Sequence, residues 1–144
     1  HPNISVLAHG HTHRLGVLSL NIDGLHHDLA VRILNDRFGI QSRGGCSCAG
    51  TYGHYLLQID QKRSSEILEK VSCGFTEMKP GWVRVSIHPT TSNQEMEYVC
   101  DCLIALADHA LEWKKEYLLE KGHYRHVSEK ISEGIPLNDQ WFEV

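Results

Sequence analysis

The sequence predicts an α/β (α+β) domain: a small, mainly antiparallel sheet with helices packed on one face. Three observations lead there. Apolar residues alternate at period two in L-G-V-L-S-L-N-I and W-V-R-V-S-I, the pattern of strands with one buried face. Helical stripes and only short edge pieces separate these strands, which suits this architecture better than a doubly wound parallel sheet. The chain has 144 residues, 41% of them hydrophobic, which is enough for one domain with a true core.

In chain order, His9, His11 and His13 would point to one side of an extended strand. Three imidazoles there could form a transition-metal surface, but no second shell is visible, so an exposed polar strand edge is the preferred reading. Residues 15–22 follow as a strand, with Leu18, Leu20 and Ile22 on one face and Asp23-Gly24 as a turn. Asp28 is placed to cap a helix whose stripe is Leu29, Ala30, Ile33, Leu34, Arg37 and Phe38, stopped by Gly39. A short strand at 40–43 then delivers Arg43. Tyr52, Tyr55, Leu56 and Ile59 keep helical spacing and carry His54, which reads more readily as a hydrogen-bonded structural histidine than as a proton-transfer group. Ser64 or Ser65 caps the next helix, with Ile67, Leu68 and Val71 expected to face inward and Gly74 as its stop.

Pro80-Gly81 turns the chain into the strand at 82–87, where Val83, Val85 and Ile87 share one face. Arg84 stands on the other, and a guanidinium in the middle of a β-branched strand needs a partner. Ser92-Asn93-Gln94-Glu95 is a capping box. Met96, Val99, Leu103, Leu106, Ala107 and Ala110 then mark a long helix expected to reach about Leu119. These pieces make a domain over 1–119. Residues 120–144, broken by Gly122, Gly134 and Pro136, read as a C-terminal extension.

A formal charge of −4 and the absence of any Lys/Arg run argue against a nucleic-acid partner. No stretch is apolar enough to cross a bilayer, so no membrane partner is expected either. Five cysteines, two pairs of them in C-x-C spacing, do not make a disulfide framework and point to a reducing, cytoplasmic setting. Cys73, Cys100 and Cys102 are expected to be inert, the last two on or near a buried helix face. The chain starts at His1 without a methionine and reads as a fragment.

The chemistry concentrates in Arg43 to Leu57, R-G-G-C-S-C-A-G-T-Y-G-H-Y-L-L. Gly44 and Gly45 permit close backbone approach. Arg43 and a following helix start would both favour thiolate at Cys46 and Cys48, and the thiolate is the nucleophile. This loop resembles the cysteine loop of pyridoxal-phosphate enzymes of the class V aminotransferase fold, in the branch of group II cysteine desulfurases and selenocysteine lyases. There the loop reads R-x-G-H-H-C-A, and Arg43, Gly44, Gly45, Cys46, Ser47, Cys48 and Ala49 occupy those places. The likeness extends upstream through L-H-H-D-L-A-V-R-I-L-N-D-R-F-G-I-Q and downstream to G-W-V-R-V-S-I-H-P-T-T-S-N-Q-E. It covers roughly residues 1–112 and resembles the C-terminal small domain of such a fold type I enzyme.

The resemblance implies that Cys48 takes sulfur from L-cysteine as a persulfide with release of alanine. It further implies that Arg84 grips the substrate carboxylate, with Arg43 assisting. Cys46 and His54 are accessory candidates, Cys46 as a second sulfur acceptor or a resolving thiol. Pyridoxal phosphate (PLP) would be held by a lysine of a large domain, so neither the cofactor nor a metal is expected on this stretch. A sulfur-acceptor protein and a homodimer of the whole enzyme are the implied partners. Two departures stand out: the paired histidines of the family loop are replaced by Cys46 and Ser47, and no lysine here has the context of the imine-forming one. The alternatives are a class V aminotransferase or other lyase in which Cys48 is structural, and a non-enzymatic metal or sulfur binding module.

Overall fold

The computed structural model describes residues 1–11, 13–46, 50–75 and 78–129. Its centre is a four-stranded, fully antiparallel sheet in the order β1-β2-β4-β3, formed by β1 (Ile4–Val6), β2 (Val17–Ile22), β3 (Arg43–Gly45) and β4 (Trp82–Ser86). The helices are α1 (His27–Phe38), α2 (Gly50–Leu56), α3 (Gln61–Ser72), α4 (Asn93–Asp108) and the single turn α5 (Ala110–Trp113). A separate hairpin of β5 (Tyr117–Glu120) and β6 (His123–His126) closes the described chain. This is the expected α+β class.

Register sorts the side chains onto two faces. Leu18 lies opposite Val85 and Leu20 opposite Val83, and this face packs against α1 and α4. Leu20, Ile33, Leu34, Val83 and Leu106 are all but sealed from solvent there. Directly paired residues project to the same side of a sheet. Ser19 pairs with Arg84 and Arg84 with Arg43, so these three form a row across β2, β4 and β3 on the opposite face.

Local signals explain most boundaries. Gly39 takes the left-handed conformation (φ 66°) and its N–H returns to the carbonyls of Asn35 and Leu34, ending α1. The Ser92–Glu95 capping box starts α4 with both reciprocal bonds in place.

Other expectations need correction. The strands run 17–22, 43–45 and 82–86, and β1 is an additional edge strand ahead of them. His9 and His11 lie beyond that strand in turns, after a left-handed Ala8 (φ 54°), so they form no alternating ladder. The N-cap of α1 is His26, whose side chain accepts from the Asp28 N–H, and that of α3 is Asp60, not a serine. None of the side chains of α3 is buried; Leu68 is 68% exposed. Cys100 is exposed, whereas Cys102 is buried.

The long helix does not continue to Leu119. It breaks at His109 (φ −104°, ψ 11°), passes through α5 and a 3-10 turn, and gives way to the hairpin. A left-handed Lys121-Gly122 pair turns β5 into β6. Tyr117 from this hairpin belongs to the core, and its hydroxyl donates to Asp36 Oδ2 on α1 at 3.2 Å. The boundary expected between 119 and 120 therefore falls inside one hairpin. Residues 130–144 lie outside the described residues. Among those described, no helix is long and apolar enough to cross a membrane.

Candidate functional site

The row on the open face of the sheet brings together two of the site residues expected from sequence. Arg43 and Arg84 are direct cross-strand partners, so two guanidinium groups issue side by side from neighbouring strands. Like charges in that relation repel. Neither arginine has an ion pair or hydrogen-bond partner among the described residues, and the half-buried Arg84 keeps a buried Nε without one. A buried N–H left unpaired costs about 1–3 kcal/mol, and more on a charged group. Among the described residues, the site is therefore short of negative charge. One planar anion with two oxygens could meet both guanidiniums, which a compact halide could not do with the same geometry.

Directly after β3 comes Cys46, half-buried and unbridged. Cys48, the expected nucleophile, lies outside the described residues, as do Ser47 and Ala49. His54 on α2 is half-buried, with Nδ1 3.4 Å from Ser64 Oγ at the start of α3. That bond gives it a structural partner joining the two helices. Tyr52 and Tyr55 stack with their ring centroids 6.2 Å apart, and both are exposed. With Leu56 and Leu57 they line one side of a cavity of about 690 Å³, whose other side is Ser5 to His11 and Asn21.

Sequence reasoning passed over His26 and His27, and gave Asp28 only as a helix cap. Their ligating atoms lie within 4.8 Å of one another at the start of α1. The nitrogens are already engaged. His26 Nδ1 accepts the Asp28 N–H at 3.3 Å, while His27 spans Asp28 Oδ1 at 2.9 Å and the Lys79 carbonyl at 3.2 Å. The positive end of the helix also opposes a cation at this place. The three residues thus read as a helix-start network rather than a metal centre. The signal available in the sequence was the H-H-D run just before the apolar stripe of α1.

Every described lysine is exposed, and Lys114 Nζ is committed to the Gly24 carbonyl at 3.1 Å. An imine-forming amine is activated by desolvation or by a neighbouring cation. Lys79 lines a cavity with His26, His27 and Arg63 whose lining includes neither Arg43 nor Arg84. Among the described residues, no lysine has the desolvated setting that activates such an amine. No protein-family model and no curated protein matches this chain.

Proposed function

We propose that this chain is the small domain of a PLP-dependent enzyme resembling the group II cysteine desulfurases. In this reading it binds the substrate's carboxylate and accepts its sulfur. The observation that carries the proposal is the Arg43–Arg84 pair. Two adjacent cations, one with an unpaired buried Nε, suit a carboxylate that takes two parallel hydrogen bonds.

Holding the carboxylate on the sheet fixes one end of a short amino acid. Its other end then falls within a limited arc, and this is how a binding contact is turned into rate. Arg43 opens the segment that carries Cys46 and Cys48, and the thiolate of Cys48 is the attacking nucleophile. The sulfur of L-cysteine passes to the Cys48 thiolate, forming a Cys48 persulfide, and the three-carbon remainder leaves as alanine. The cofactor and its lysine are supplied from outside the described residues.

The test is an assay of the enzyme carrying this domain with L-cysteine and an excess of a dithiol reductant, which reduces the persulfide back to thiol and sulfide, following alanine and sulfide together. Both products are expected in equal amounts, and Cys48→Ser should abolish them. Arg84→Lys keeps the charge but loses the fork, and should raise KM more than it lowers kcat. Alanine formed at an undiminished rate by Cys48→Ser would reject sulfur acceptance and favour the reading in which that cysteine is structural.

A further inference from the structure

His27 is the one buried polar or charged residue among those described, at 7% exposure. An imidazole taken out of water needs partners, and it has two from different parts of the chain. Asp28 is its neighbour in sequence, whereas the Lys79 carbonyl comes from the segment entering β4. The Lys79 carbonyl and the Asp28 carboxylate can both only accept, so in each bond that forms the ring nitrogen is the donor.

The ring also sits in a slot with glycine on two sides. A Cβ on Gly81 would stand 2.5 Å from Cδ2 and Nε2 of the ring and 2.7 Å from Gly45 Cα. A Cβ on Gly44 would stand 3.0 Å from Nδ1 and 2.8 Å from Asp28 Oδ1. Real carbons do not approach so closely, so the imidazole occupies the room that two side chains would have taken. Gly44 and Gly45 are the last residues of β3 before Cys46, and Gly81 is the residue before β4. Gly81 is held from another direction as well, because the Asn21 amide, oriented to suit its surroundings, donates to its carbonyl at 3.1 Å.

We propose that His27 is a positioning residue for the cysteine segment. Through its bond to Lys79 and its fit against Gly44 and Gly81, it sets where β3 ends relative to β4, and hence where Cys46 and the chain after it start relative to Arg84. It touches no substrate. Its consequence for sulfur transfer rests on the function proposed above; its effect on the segment does not.

The experiment follows alkylation of Cys46 by iodoacetamide in the protein carrying this 144-residue sequence. Peptide masses report the rate, with the exposed Cys73 and Cys100 as internal references. His27→Gln can place an amide N–H where Nε2 was, whereas the shorter His27→Asn cannot reach Lys79. The asparagine variant should label Cys46 roughly fivefold faster, the population change expected from one lost buried hydrogen bond. The glutamine variant should keep the wild-type rate.

Gly81→Ala should speed Cys46 labelling by displacing the ring. In a His27→Ala background only the clash with Gly45 Cα remains, so the added effect should be smaller there. Equal Cys46 rates in the Gln and Asn variants would overturn the proposal, as would Cys73 and Cys100 accelerating along with Cys46. If His27→Asn does not fold, an unchanged Cys46 rate in Gly81→Ala overturns it, as does a Gly81→Ala effect of equal size with and without the His27 ring. Alkylation needs no turnover, so a failed desulfurase assay would leave this result standing.

Discussion

Leu106 on α4 is completely buried, whereas Leu68 on α3 is 68% exposed, although each was expected on the inward stripe of an amphipathic helix. The sheet with α1 and α4 has both halves of its core: Leu20 and Val83 from the strands meet Ile33, Leu34 and Leu106 from the helices. Helix α3 has the same stripe and a well-made N-cap at Asp60, yet none of its side chains is buried among the described residues. Periodicity thus says which side of a helix is apolar, and says nothing about whether another element covers it. The arginine row stands between these two situations, built on the rigid sheet but facing away from its core.

The sharpest way to break this comparison is a pair of truncations followed by chemical denaturation. Leu106→Ala should cost about 2–5 kcal/mol, the sum of lost burial and an unfilled cavity. Leu68→Ala should stay within about 0.5 kcal/mol. A comparable loss at Leu68 would mean that the α3 stripe is covered after all. The helix caps give a finer version. Ser92→Ala removes half of the α4 capping box and should lower global stability by about 1 kcal/mol. Asp60→Ala removes the bond to the Arg63 N–H, and should mainly speed amide exchange within α3 while leaving the global midpoint in place.

Two titrations sharpen the contrast within the packed half. Burial, aided by the Asp36 carboxylate, pushes the Tyr117 phenol up to about 12 from its ordinary value of 10.0. The unfolded chain ionises this phenol first, so its contribution is intact below about pH 10 and is lost as pH rises toward 12. Denaturation midpoints across that range should fall in the wild type and fall less in Tyr117→Phe.

The smallest effect is expected at Glu116. Its hydrogen bond from His126, together with the Arg37 guanidinium, holds its carboxyl below the usual range. The contribution is present above the unfolded carboxylate's pKa and is lost as pH falls through the lower folded value. Hydrogen exchange in the β5–β6 hairpin should accelerate in that acid window, and Glu116→Gln should remove the dependence.

The elements legible in the sequence were those whose signals are local. The W-V-R-V-S alternation, the Gly39 stop and the Ser92–Glu95 box each act within a few residues, and each holds in the structure. The helix expected to reach Leu119 failed because Leu118, Leu119 and Glu120 are good helix formers. Nothing local shows that Tyr117 pairs with His126 and enters the core. A turn at Lys121-Gly122 was the available clue. The caps of α1 and α3 were placed too late because Asp28 and Ser64 fit the pattern as well as His26 and Asp60 do.

At the site, alternation alone put Arg84 on the face away from Val83 and Val85. Its pairing with Arg43 depends on strand register, which no spacing in the sequence gives. The slot around His27 was invisible for the same reason, since Gly44 and Gly81 meet the ring only once β3 and β4 are paired.

The most direct measurement is the mass of the Cys48 peptide after the enzyme carrying this domain has been incubated with L-cysteine and trapped with an alkylating agent. The account predicts a gain of one sulfur atom on Cys48 in the wild type, and a much lower yield at limiting substrate in Arg84→Lys. A Cys48 peptide that never gains sulfur while alanine is released would contradict it.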